Sequence, residues 1–166
     1  MLQDFFTDFN TAKPQSGLIP KGTMVKVKMA IKPGGYENWF TRSLATGSIY
    51  LNAEFTVIEG PYAKRKIFQM IGVKSGKAEG TEDNWGESGR SMIRSILESA
   101  RNIHPDDTSE KAVLARKLNS IADLNGLEFI VKVGIEADSR YGDRNRIATV
   151  ITPEHNKSSE ADWIPF

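Results

Sequence analysis

Cysteine is absent from the 166 residues. That excludes a disulfide framework and any thiolate metal site, and it suits a reducing cytoplasm. Histidine is scarce. His104 and His155 stand far apart on expected loops, which leaves neither a metal site nor a histidine-based triad. No run of about 18 apolar residues occurs, so no membrane-spanning helix is expected. The opening MLQDFFTDFN mixes acids with aromatics and lacks the basic region and apolar stretch of a secretory signal. Charge of one sign is missing as well: 22 Lys and Arg face 21 Asp and Glu, a net +1. The glycine-containing stretches SGKAEG and GTEDNWGESG lack the Gly-Lys-Ser/Thr end of a phosphate-binding P-loop. DSRYGD lacks calcium-loop spacing. Glu54 and Glu59 fall on opposite strand parities, so they form no facing carboxylate pair. No enzyme, no cofactor and no metal are expected.

What is present is alternation. The length suits one domain with its own core. Residues 1 to 22 read as irregular, broken by Pro14, Gly17, Pro20 and Gly22. In MVKVKMAI, Val25, Val27, Met29 and Ile31 alternate with Lys26, Lys28 and Ala30, which predicts a half-buried strand. A long loop, KPGGYENWFTRSLATG, follows. SIYLNAEFTVIE predicts a second strand with Ile49, Leu51, Ala53, Phe55 and Val57 inward. After the GPYAK turn, a third strand from about Arg65 to Val73 places Ile67, Ile71 and Val73 inward and Lys66, Phe68 and Met70 outward.

The period then changes to helical. SGRSMIRSILESARNI groups Met92, Ile93, Ile96, Leu97, Ala100 and Ile103 on one face, and His104-Pro105 ends that helix. Asp107 with Glu110 predicts a capping box and a second helix through Leu114, Leu118 and Ile121, stopped by Asn125-Gly126. Two further strands are predicted, one with Leu127, Phe129, Val131, Val133 and Ile135 inward, the other with Ile147, Thr149 and Ile151 inward. The order is three strands, helices, two strands. It predicts a mostly β domain over residues 1–153: a five-stranded OB-fold barrel with helices inserted between strands 3 and 4. Residues 154–166 are read as a flexible tail.

OB-folds bind ligands on the face of strands 2 and 3 and at the loops between strands 1 and 2 and between strands 4 and 5. Those places carry Tyr36, Trp39, Phe40 and Arg42; Lys26, Lys28, Tyr50, Lys66 and Phe68; and Arg140, Tyr141, Arg144 and Arg146. Rings and cations interleave at all three. Single-stranded nucleic acid needs that mixture, because bases stack on rings while cations track phosphates.

The chain ends in EADWIPF. The tail holds Glu154, Glu160 and Asp162 against Lys157, leaving 21 basic and 18 acidic side chains in the body. Asp162, Trp163, Ile164, Pro165 and Phe166 resemble the C-terminal tip of bacterial single-stranded-DNA-binding proteins, which docks into replication, repair and recombination enzymes. Trp163 departs from that pattern, since the family usually has an acid there. In the body, FNTAKP, YLNAEFTVIEGPYAKRKIF, LNGLEFIVKVGIE and RNRIATVITP resemble a phage-encoded OB-type family long described only as a domain of unknown function. The two resemblances imply a phage or prophage protein of the bacterial cytoplasm. It would coat single-stranded DNA and recruit enzymes through its tip. The rivals are a mimic of the host tip with little DNA binding of its own, and a barrel that binds sugar or protein. The sequence leaves oligomeric state open, a homo-oligomer included.

Overall fold

The computed structural model describes residues 2–12, 17–76, 83–140 and 142–153. Five long strands carry the fold: β1 (Met24–Lys32), β3 (Ile49–Val57), β4 (Lys66–Lys74), β5 (Glu128–Glu136) and β6 (Arg144–Ile151). A two-residue strand, β2 (Thr41–Arg42), continues the β1 side of β3. All pairings are antiparallel, and along the sheet the long strands run β4-β3-β1-β5-β6. The result is a mostly β protein with an open six-stranded sheet and a few helices.

The expected alternation decides which face is buried. Val27, Met29, Leu51, Phe55, Ile67, Ile71, Val131 and Val133 are almost wholly excluded from water. Phe55 meets Phe129 edge to face, with ring centroids 6.0 Å apart. One strand departs from the expected parity. Thr149 is exposed, and Val150 is buried in its place. The β5–β6 register shifts between Lys132 and Val133, so that Val133 opposes Ile147 while Lys132 opposes Thr149. The extra residue, Ala148, flips the parity beyond it, as a bulge must.

The helical segment differs more. Helix α2 spans Asn84–Ala100 and starts earlier than its apolar face suggested. Asp83 caps it, accepting from the backbone N–H groups of Gly86 at 2.8 Å and Ser75 at 2.9 Å. The Ser75 and Gly86 donors hold the Asp83 carboxyl below its usual range, and they tie the end of β4 to the start of α2. The second predicted helix is broken. Ser109, not Asp107, caps a single short helix, α3 (Glu110–Ala115), and a 3-10 turn covers Ile121–Leu124. At the end of α3 the Arg101 guanidinium donates to the carbonyls of Ala115 and Lys117. The supposedly irregular N-terminus contains α1 (Leu2–Thr7).

The barrel expected from the strand order is not closed. Among the described residues no ladder joins β4 to β6. A side chain spans the gap instead: Gln69 accepts from the Ile147 backbone N–H at 2.8 Å. Helix α2 lies over both strands and buries Ile96 and Leu97 against the sheet. Its approach to β4 is backbone to backbone. A Cβ at Gly89 would collide with the Gly72 carbonyl, and a Cβ at Gly72 would collide with the Trp85 ring.

Candidate nucleic-acid interface

Strand register places the site. On the outer face, Lys28 opposes Thr56, which opposes Lys66. The next row is Ala30, Glu54 and Phe68, and the one after it Lys32, Asn52 and Met70. Tyr50 follows, opposite Gly72. Five of the expected residues, Lys26, Lys28, Lys66, Phe68 and Tyr50, therefore share one face. Phe68 is 61 % exposed and Met70 55 %, so no helix covers this part of the sheet. A groove of about 550 Å³ crosses these rows, lined among others by Lys32, Asn52, Glu54, Phe68, Met70 and Arg144.

The register also shows what strand-by-strand reading missed. Lys66 Nζ lies 2.6 Å from Glu54 Oε1. Lys26 approaches Glu128 at 3.9 Å and Arg144 approaches Glu136 at 3.4 Å. Three of the expected cations are thus partly neutralised by carboxylates on neighbouring strands. Lys28, Lys32, Arg140 and Arg146 make no such ion pair among the described residues. Lys32, Asn52 and Met70 were not expected in the site. The outward parity of Asn52 and Met70 was visible, but Lys32 falls at the start of the expected long loop, whereas β1 runs through it, and the adjacency of all three to Phe68 depends on the register.

The long loop after β1 folds back on itself. Glu37 and Asn38 adopt left-handed backbone conformations, with φ of 48° and 71°, and Tyr36 and Phe40 exchange backbone hydrogen bonds of 3.0 Å across them. This brings the Arg42 guanidinium over the Tyr36 ring, 5.7 Å from its centroid. Arg42 and Tyr36 form an exposed pair, whereas Trp39 is half-buried and packs on the core. Trp39 is therefore a poorer surface for a base than its neighbour Tyr36.

Arg140 is exposed on the β5–β6 loop. Arg146 does not line the groove that Arg144 lines. It opposes Gly134 and enters a second cleft of about 640 Å³ between α2, β4 and β6. Tyr141 and the five tip residues, Asp162 to Phe166, lie outside the described residues. No protein-family model matches the chain, and no curated protein or solved structure does either. Among the described residues there is no group of His, Asp and Glu arranged for a metal, and no helix is long and apolar enough to cross a membrane.

Proposed function

We propose that this chain is a phage- or prophage-type single-stranded-DNA-binding protein. It would hold DNA on the outer face of β1, β3 and β4 and recruit replication, repair or recombination enzymes through its C-terminal tip. The observation that carries the reading is the co-facial row structure. Exposed Phe68 stands between the row of Lys28 and Lys66 and the row of Lys32 and exposed Met70, and Lys32, Phe68 and Met70 line one groove. Bases can lie on the apolar surface while phosphates meet the flanking cations. The strand order and the helix between the third and fourth long strands agree with an OB-type sheet, which is itself a partly open Greek-key barrel. The mechanism is binding, with no bond made or broken.

Titration of a labelled oligo-dT of about 30 nucleotides at two salt concentrations tests this. Binding that weakens with salt and exceeds binding to duplex supports the proposal. Failure to bind at low salt, or a preference for duplex, overturns it. The carboxylates paired with Lys26, Lys66 and Arg144 favour a second reading: a mimic of the host tip with little affinity for DNA. In that case the same titration fails while an enzyme that reads such tips is still captured through residues 162–166.

A further inference from the structure

Two cavities meet on this surface. The 550 Å³ groove and the 640 Å³ cleft share Gln69 and Met70 in their walls. Met70 is exposed at the junction. Beyond it the cleft holds Trp85, which is 43 % exposed, together with Arg146 and the hydroxyls of Ser88, Ser91 and Ser95 on α2. Trp85 lies against Gly72, where the missing side chain gives its ring room. A ring backed by the Gly72 backbone and still partly exposed offers surface on which a base can stack. The cleft's carboxylate, Glu98, is already committed: its Oε2 accepts from Arg94 at 3.0 Å and from Arg116 at 2.8 Å. Arg146 has no ion pair among the described residues.

We propose that single-stranded nucleic acid does not stop at the sheet face. Its path crosses Met70 and enters the α2 cleft, where Trp85 is a second stacking surface and Arg146 a phosphate contact. The inference rests on the function proposed above and extends its site. From Phe68 to Gly72, beneath Trp85, β4 advances roughly 13 Å. At about 3.4 Å per stacked nucleotide that is about four nucleotides, so both rings are engaged only by oligonucleotides longer than this.

The test uses the full chain with oligo-dT of about 4, 8 and 12 nucleotides, the variants W85A, W85F and F68A, and photo-crosslinking from 5-iododeoxyuridine. Trp85→Ala should weaken the 12-mer about 5- to 150-fold and change binding of the 4-mer far less. Trp85→Phe should retain most of the affinity. Crosslinks should map to Trp85 with the longer oligonucleotides. If W85A fails to fold, W85F affinity and the crosslinks of the parent decide. Parent-like binding of the 12-mer by folded W85A, or longer-oligonucleotide crosslinks that never reach Trp85, overturns the extended path. Loss of binding in F68A then leaves the sheet-face reading standing. If the parent binds no oligonucleotide, both fall together.

Discussion

Replacing Phe68 with alanine separates function from stability, because the structure assigns the two different weights at this residue. Phe68 is 61 % exposed on the outer face of β4, while its neighbours Ile67 and Ile71 carry the packing at 1 % exposure. Truncating a buried Phe costs about 3–5 kcal/mol. With most of the ring already in water, Phe68→Ala should cost about 1 kcal/mol or less. In a chain of this size that is a fall of about 2–4 °C in Tm. A base stacked on the ring is worth about 1–3 kcal/mol, so Kd for oligo-dT should rise about 5- to 150-fold. The ratio of effects is the point: a small thermal shift beside a large loss of affinity. Fluorescence anisotropy and a thermal melt on the same samples measure both. A folded F68A that binds like the parent would refute the assignment of this face. A melting point many degrees lower would show that the ring is packed in solution.

The ion pairs bear on salt dependence. With Lys28, Lys32, Arg140 and Arg146 unpaired among the described residues, about four phosphate contacts are expected, giving a log–log slope near −3 at roughly −0.7 per phosphate. Glu54→Gln, which releases Lys66, should steepen that slope and tighten binding to oligo-dT, as titration across salt concentrations would show. Glu98 is 2 % exposed and accepts from two arginines, of which the Arg116 side chain is only 14 % exposed. Glu98→Gln should therefore cost about 3 kcal/mol, near the low end for breaking a buried pair because Arg94 is half in water. A Tm fall of about 6–12 °C is expected, and a parent-like melt would contradict it. Deleting Trp163 to Phe166 should leave Tm and oligonucleotide affinity intact while abolishing calorimetric binding to an enzyme that reads such tips. A large fall in Tm with no partner binding would make the tip a structural clasp.

Strand parity was legible residue by residue, because one face of each strand must be apolar and the period of two admits no other assignment. Thr149 shows the limit. A bulge is set by the cross-strand partner, and nothing within RNRIATVITP marks Ala148 as the extra residue. The second helix failed for a similar reason. The carbonyls at and just past its end accept from Arg101, a residue of the preceding segment, and no local pattern reveals that partner. Helix α1 exposes Phe5 and Phe6 and offered no buried periodicity to read. At the candidate site, residue types were legible and adjacency was not. Lys66 was visible as an outward cation, but its partner Glu54 sits on another strand, and only the register brings them to 2.6 Å. Trp39 was visible as an aromatic in a loop, but its packing on the core depends on how that loop closes.

Closure of the sheet and continuity of the site both turn on Gln69. Unpaired strand edges invite pairing with other chains, and proteins cover or blunt them. Here β4 and β6 face one another without a ladder, and Gln69 occupies the gap. Its Oε1 accepts from Ile147 N–H, and its Nε2 lies 3.7 Å from the Met92 sulfur. Ile147 is 4 % exposed, so its amide has little access to water if Gln69 is removed. Gln69→Leu keeps the bulk and deletes the acceptor. Leaving a buried N–H unpaired costs about 1–3 kcal/mol, a Tm fall of about 2–12 °C. Amide exchange at Ile147 should accelerate in the variant. Exchange at Val133 should change far less, because that N–H donates to the Thr23 carbonyl at 2.8 Å, away from the seam. If Ile147 stays protected and the melt is unchanged, main-chain bonds close the seam in solution and the sheet is a complete barrel. In that case the wall between groove and cleft is backbone, and a strand of DNA must pass over it at Met70 without prising the seam apart.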